Sequence, residues 1–362
     1  MGKSLYKDTL SFLIKSSTIE PVGDHRHRLN VLAGMIWSCM QTKSSSLEGL
    51  SQPRKEDDRQ SESLVKQAKR WISTSWTDWD SFFAPYATRM LSSLSQKGEL
   101  VLVVDGSTTG SGCKALMLSV IWKGYAIPLA WLVKKGGKGH FPESMHLELV
   151  NCVKGILPTG CRVVLLGDGE FDGTQLRAAC KGFGWEFVLR TACDRQVDCG
   201  GEMARFDSLC PMPGSETVFL EGACEGDNAV FWHGEGFESP IYLLTNMELG
   251  EMACEYYRRR FKIETMFKQF KSAGFQIQKC RVECPIRVKN LLIVVAFAFI
   301  FTFCIGILLK QADAATLARF TRKDRIKDMR PITLGQKCIS RAKKIAKRLF
   351  ADFLENWTTI FT

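Results

Sequence analysis

The chain has 362 residues, 45% of them hydrophobic and 24% charged, which is ordinary for a globular protein with a sizeable core and two or three structural units. A formal charge of +11 points to a polyanionic partner, nucleic acid before an anionic membrane surface. The 14 cysteines include no C-x2-C pair, and Cys193, Cys199, Cys210 and Cys224 lack zinc-ligand spacing, so free thiols in a reducing cytosol are expected.

Taken in chain order, residues 1–95 carry helical patterning with polar breaks. The opening MGKSLYKDTLSF is polar and amphipathic, unlike a signal peptide. Residues 29–40 form an apolar helix candidate, residues 41–62 a polar, linker-like stretch, and residues 63–94 return to helical spacing. We read residues 1–95 as a small helical N-terminal domain for DNA binding or dimerisation. Trp71, Trp76 and Trp79 are weighed as packing residues ahead of DNA contacts.

At residue 99 the texture changes. ELVLVVDGS is a β-branched apolar run ending at Asp105, and residues 115–133 read as a hairpin turning at Lys123-Gly124. A helix over 142–157, a buried strand CRVVLLGDGEF ending at Asp168, a helix over 173–184 and a strand over 185–191 follow. That order gives a mixed α/β layer over residues 96–191. Residues 192–239, rich in Gly, Pro and Cys with short strand candidates, read as a β-rich insertion. The layer resumes over 240–310 with strand PIYLLTN and one long helix from Met247 to Lys271. Residues 290–309 are apolar enough to span a bilayer or to fill a core. Residues 311–362 are expected to be a basic, helical C-terminal tail, either solvated or touching phosphate.

Asp105 and Asp168 each end an apolar strand and precede Gly. An isolated Asp-Gly is usually a turn, but ligands gather at the carboxyl ends of strands, and two such acids in one sheet carry more weight. In EYYRRRFKIETMFKQFKSAGF, about 100° per residue sets Tyr257, Arg260, Glu264 and Lys271 within an arc of about 60°, with Lys268 close beside. A carboxylate there can complete a metal site, and the cations can hold phosphates next to it.

This Y-x2-R-x3-E-x6-K order resembles the YREK signature of bacterial DDE transposases of the insertion-sequence-4 type. VVDGS and LLGDGEF resemble the regions of that family's two catalytic aspartates, and VECPIRVKNLLIVVAFAF resembles the stretch after its catalytic Glu. The resemblance covers roughly residues 99–310; the N-terminal domain matches only in length and helical character. It implies an RNase H-like catalytic core with the β-rich insertion between the second Asp and the Glu. It also implies that residues 290–309 are a core helix, with no membrane association.

Three carboxylates without Cys or His partners suit a hard cation, Mg²⁺ or Mn²⁺. Asp105, Asp168 and Glu264 are therefore expected to hold two ions for in-line phosphoryl displacement, nicking DNA at a transposon end and then letting the 3′-OH attack a target phosphodiester. A hairpin intermediate is implied by the resemblance alone. Tyr257, Arg260 and Lys271, with Lys268 and Arg190 beside them, are expected to contact phosphates. Trp232 is the candidate for stacking on a flipped base, against a competing role in the core. His140 and His146 are read as structural or surface residues. The expected partners are terminal inverted repeats and target DNA, bound by a homodimer in the cytoplasm, at the bacterial nucleoid. The alternatives are a metal-dependent nuclease without strand transfer, a non-catalytic basic protein on a membrane, and a decayed copy.

Overall fold

The computed structural model describes residues 5–52, 61–137, 140–320 and 329–361. Part of the linker-like stretch (53–60) and most of the basic run at 319–330 (321–328) lie outside the described residues. The N-terminal part is helical: α1 (Leu5–Ser16), α2 (Gly23–Thr42), α3 (Ser61–Ser73), α4 (Trp79–Phe82) and α5 (Ala84–Leu94). In α3 the buried residues Leu64, Ala68, Trp71 and Ile72 recur at helical spacing and make one apolar face. Asp78 caps α4 by accepting the Ser81 N–H, which restarts the helix after a break in the stretch expected over 63–94. Trp71 and Trp79 are buried and donate to the carbonyls of Arg28 and Leu129, while Trp76 is exposed.

The sheet begins with β1 (Glu99–Gly110), β2 (Cys113–Trp122) and β3 (Tyr125–Lys135), an antiparallel meander. The β2–β3 turn falls at Lys123-Gly124, where both residues have positive φ, 47° and 77°, the geometry of a two-residue hairpin that follows the strand twist. Then come α6 (Glu143–Lys154), β4 (Arg162–Gly167), α7 (Thr174–Gly182) and β5 (Glu186–Arg190). β4 lies parallel to β1, and β5 parallel to β4. The order β3-β2-β1-β4-β5, three antiparallel strands and then two parallel additions, is the RNase H-like arrangement.

Residues 192–239 hold β6 (Gln196–Asp198), β7 (Met203–Arg205), β8 (Val218–Cys224) and β9 (Asp227–Trp232), followed by β10 (Ile241–Thr245). Their β content does not form a separate unit. Only β6 and β7 pair apart; β9 and β8 add to the main sheet through β10, giving eight strands in the order β3-β2-β1-β4-β5-β10-β9-β8. A buried ion pair between Arg177 of α7 and Asp227 of β9 ties this extension to the core, with Lys181 and Glu225 joined to it.

The long helix expected from Met247 to Lys271 is two: α8 (Gly250–Arg259) and α9 (Lys262–Phe270). At the break Arg260 N–H bonds Tyr257 O and Ile263 N–H bonds Arg260 O, a tightened turn that re-aims the chain without Gly or Pro. After it, α10 (Pro285–Lys310) runs through the centre of the fold, its 285–310 span long and apolar enough to cross a membrane yet enclosed by protein. An all-round apolar surface is what a helix packed on every side requires. α11 (Ala314–Ala318), α12 (Pro331–Arg341), α13 (Lys343–Glu355) and α14 (Trp357–Ile360) complete the chain. The described tail is more than a solvated arm, because α12 and α13 bury Leu334, Cys338, Phe350 and Phe353 in the common core. α12 crosses α10 closely enough that a Cβ on Gly306 would lie 1.9 Å from the Pro331 carbonyl oxygen, and one on Gly335 1.9 Å from that of Thr302.

Candidate active site

The parallel register of β1 and β4 builds the site. Val103 pairs with Leu166, so Asp105, inside β1, and Asp168, one residue past the end of β4, stand level with each other at adjacent strands. Asp105 Oδ1 accepts the N–H of Gly106 at 2.7 Å, and Asp168 Oδ1 accepts the N–H of Glu170 at 3.0 Å. Burial, reinforced by the Asp168 charge, pushes the Asp105 carboxyl up to about 7, although Arg260 and the Gly106 N–H pull the other way.

Glu264 arrives from α9, whose buried residues Ile263, Met266, Phe267 and Phe270 seat the helix against β1 and β3. The opposite stripe leaves the Glu264 side chain 44% exposed. The break before α9 sets Arg260 between the acids. Its guanidinium is 3.0 Å from Glu264 Oε1 and 3.6 Å from Asp105 Oδ2, with the side chain only 6% exposed. Arg260 is thus an internal counter-ion in this state, not a cation presented to solvent as the single-helix projection expects. Tyr257 is fully buried beneath it. The Tyr257 hydroxyl has no hydrogen-bond partner in good geometry, and burial raises its pKa against the pull of Arg260 and Arg190.

The remaining expected phosphate contacts flank the acids. Lys271 closes the C-terminus of α9 and donates to Thr108 Oγ1 at 3.3 Å, three residues beyond Asp105 on β1. Lys268 is exposed on α9, and Arg190 is half-buried at the end of β5. Trp232 is the departure. It is 5% exposed on β9, with Phe237 against it at 4.8 Å and the Arg258 guanidinium over its ring at 4.7 Å, so no free face remains for a base.

One neighbour of the acids went unread in the sequence. Glu170, two residues after Asp168 in GDGEF, accepts the backbone N–H of Phe141, whose ring packs where a Cβ on Gly106 would lie. His146, buried against Phe171, stands 3.8 Å from Glu170, and burial lowers its pKa against the pull of that carboxylate. His140 is exposed, 3.7 Å from the same carboxylate. The i, i+2 spacing of two acids after a strand was the signal available.

The donor set fits a hard divalent cation in kind: oxygen donors only, with burial and then the Asp168 charge raising the pKa of Asp105. It is not a preformed cage. Among the described residues no three His, Cys, Asp or Glu side chains stand in a ligating arrangement, and Arg260 occupies the space between Asp105 and Glu264. An incoming cation would have to exchange with the guanidinium.

Residues 244–301 match the family model of the Transposase DDE domain. That segment holds Tyr257, Arg260, Glu264 and Lys271, and stops short of both aspartates. No curated protein matches the chain. Among solved structures, the piggyBac transposase in a synaptic complex with hairpin DNA is similar at 10% identity and a TM-score of 0.44, covering 90% of this chain and 81% of that one. At that score the likeness is loose, and the fold assignment rests on the strand order itself.

Proposed function

We propose that this chain is a DNA transposase of the insertion-sequence-4 type, cutting transposon ends and joining them to target DNA by metal-dependent phosphoryl transfer. The observation that carries the reading is the convergence of Asp105 and Asp168, level at adjacent strands, with Glu264 joined to Asp105 through Arg260. The match of residues 244–301 to the Transposase DDE domain supports the same reading.

Asp105, Asp168 and Glu264 would hold Mg²⁺ or Mn²⁺, two ions, which when bound supply Lewis-acid stabilisation of the phosphoryl oxygens. The chain's own residues then position the DNA. Arg260 would turn its fork from the carboxylates to a phosphate of the terminal nucleotides, and that movement would uncover the Tyr257 hydroxyl buried beneath it for a second contact. Lys271, Lys268 and Arg190 neutralise neighbouring phosphates. The 3′-OH left by the first cut stays in place to attack the target strand, with or without a hairpin on the end. Two ends joined together call for a homodimer on terminal inverted repeats, with residues 1–95 contacting DNA or the partner.

The test uses a labelled duplex made from the DNA that flanks the gene, with wild type and Glu264→Gln, in Mg²⁺ and in EDTA, resolved on a denaturing gel. Metal-dependent nicking at the end, lost in Glu264→Gln while binding persists, is expected. Binding by wild type without cleavage in any divalent metal, or unchanged cleavage by Glu264→Gln, would refute the assignment.

A further inference from the structure

A groove of about 500 Å³ lies between the N-terminal helices and the catalytic core, away from the acids. Lys69 of α3, Lys135 at the end of β3, and Arg281 and Arg287 on either side of the turn into α10 all line it. All four are exposed, and among the described residues none of the ion pairs involves any of them. Glu283 is the one acid in the lining. Four cations brought together from three separate elements with one carboxylate repel one another, and folding alone gives no reason to gather them. Arg281 also holds a left-handed backbone, φ 57°, a conformation that costs a non-glycine residue about 1–2 kcal/mol.

The groove is placed along the line of the catalytic strand. Cys113, whose thiol donates to Glu283 O at 3.2 Å, pairs with Lys135 on one side and Gly110 on the other. Gly110 ends β1, five residues past Asp105. At about 3.3 Å per residue that is roughly 17 Å to Gly110, with Lys271 on Thr108 part-way along, and two strand spacings of about 4.8 Å across to Lys135 bring the separation to roughly 20 Å. The same length covers about six base pairs of duplex, at about 3.4 Å each.

We propose that this groove binds the backbone phosphates of duplex DNA about six base pairs from the phosphate that is cut beside Asp105 and Asp168. It forms a second anchor that fixes the angle at which DNA enters the active site. The proposal rests on the DNA-processing reading given above. The contacts are to phosphate alone, so they add affinity and register without sequence preference.

The test is the salt dependence of duplex binding by the full chain, for wild type, Arg281→Ala/Arg287→Ala, and Arg281→Lys/Arg287→Lys, with thermal melts to confirm folding. Losing two phosphate contacts should lower the slope of log K against log salt by about 1.8, while the Lys pair keeps it near wild type. Ethylation interference should lose its signal at phosphates about six base pairs from the cut and keep it at the cut. If wild type binds and cuts DNA but the folded Ala variant keeps the full slope and footprint, the groove proposal fails and the transposase reading stands. If wild type does not bind duplex at all, or binds anionic vesicles in its place, both fail.

Discussion

Replacing Asp105 with Asn should make the protein more stable at high pH while removing its chemistry. In the folded chain the Asp105 carboxyl keeps its proton up to about pH 7, because it is buried beside Asp168. In an unfolded chain it releases that proton near pH 4. The unfolded state therefore binds fewer protons over this interval, and stability falls as pH rises through it. The gap corresponds to about 4 kcal/mol at pH 8 and about 2 kcal/mol at pH 5. Asn carries no such penalty, and its other effects on packing and hydrogen bonding do not vary with pH. The stability difference, Asp105→Asn minus wild type, should thus grow by about 2–3 kcal/mol between pH 5 and pH 8, measured by denaturant unfolding in EDTA. Adding Mg²⁺ at pH 8 should recover stability in wild type only. Parallel pH profiles for the two proteins would refute the electrostatic argument.

Arg260→Ala removes the buried partner of Asp105 and Glu264 and should cost about 1–3 kcal/mol in EDTA, less than breaking a fully buried pair because Glu264 is 44% exposed, with Mn²⁺ restoring part of the loss in a thermal melt. Lys268→Ala and Lys271→Ala should each weaken duplex binding equally across sequences and lower the salt slope by about 1, read by fluorescence anisotropy. Gly335→Ala drives a methyl into the Thr302 carbonyl at the α10–α12 crossing and should destabilise by about 1–3 kcal/mol with no change in metal response.

What the sequence made legible follows from local chemistry. The apolar runs before Asp105 and Asp168 name β1 and β4, although β1 does not end at Asp105 but stays paired with β2 as far as Gly110, and Lys123-Gly124 names the hairpin, because the signal for each lies within a few residues. The level placement of the two aspartates is a register, and it emerges only when β1 and β4 pair. The break at Arg260 carries no Gly or Pro, so helical periodicity runs straight through RRRFKIE and projects Arg260 outward. In the folded chain the turn buries it between two carboxylates. The β-rich stretch before residue 240 shows strand patterning, but not that β8 and β9 extend the main sheet through β10. Trp232 illustrates the same limit, since its ring is covered by Arg258 and Phe237 from beyond its own strand. The basic groove draws Lys69 and Arg281 from positions more than 200 residues apart, and no window along the chain could join them.

Strand transfer tests the central claim most directly. A labelled, pre-cut end with a free 3′-OH would be incubated with a supercoiled plasmid, Mg²⁺, and either wild type or Asp168→Asn. The account predicts that wild type joins label to plasmid, and that Asp168→Asn binds the end as tightly and yields no joined product. Equal joining by both proteins, or a wild type that holds the end and never joins it, would contradict the account.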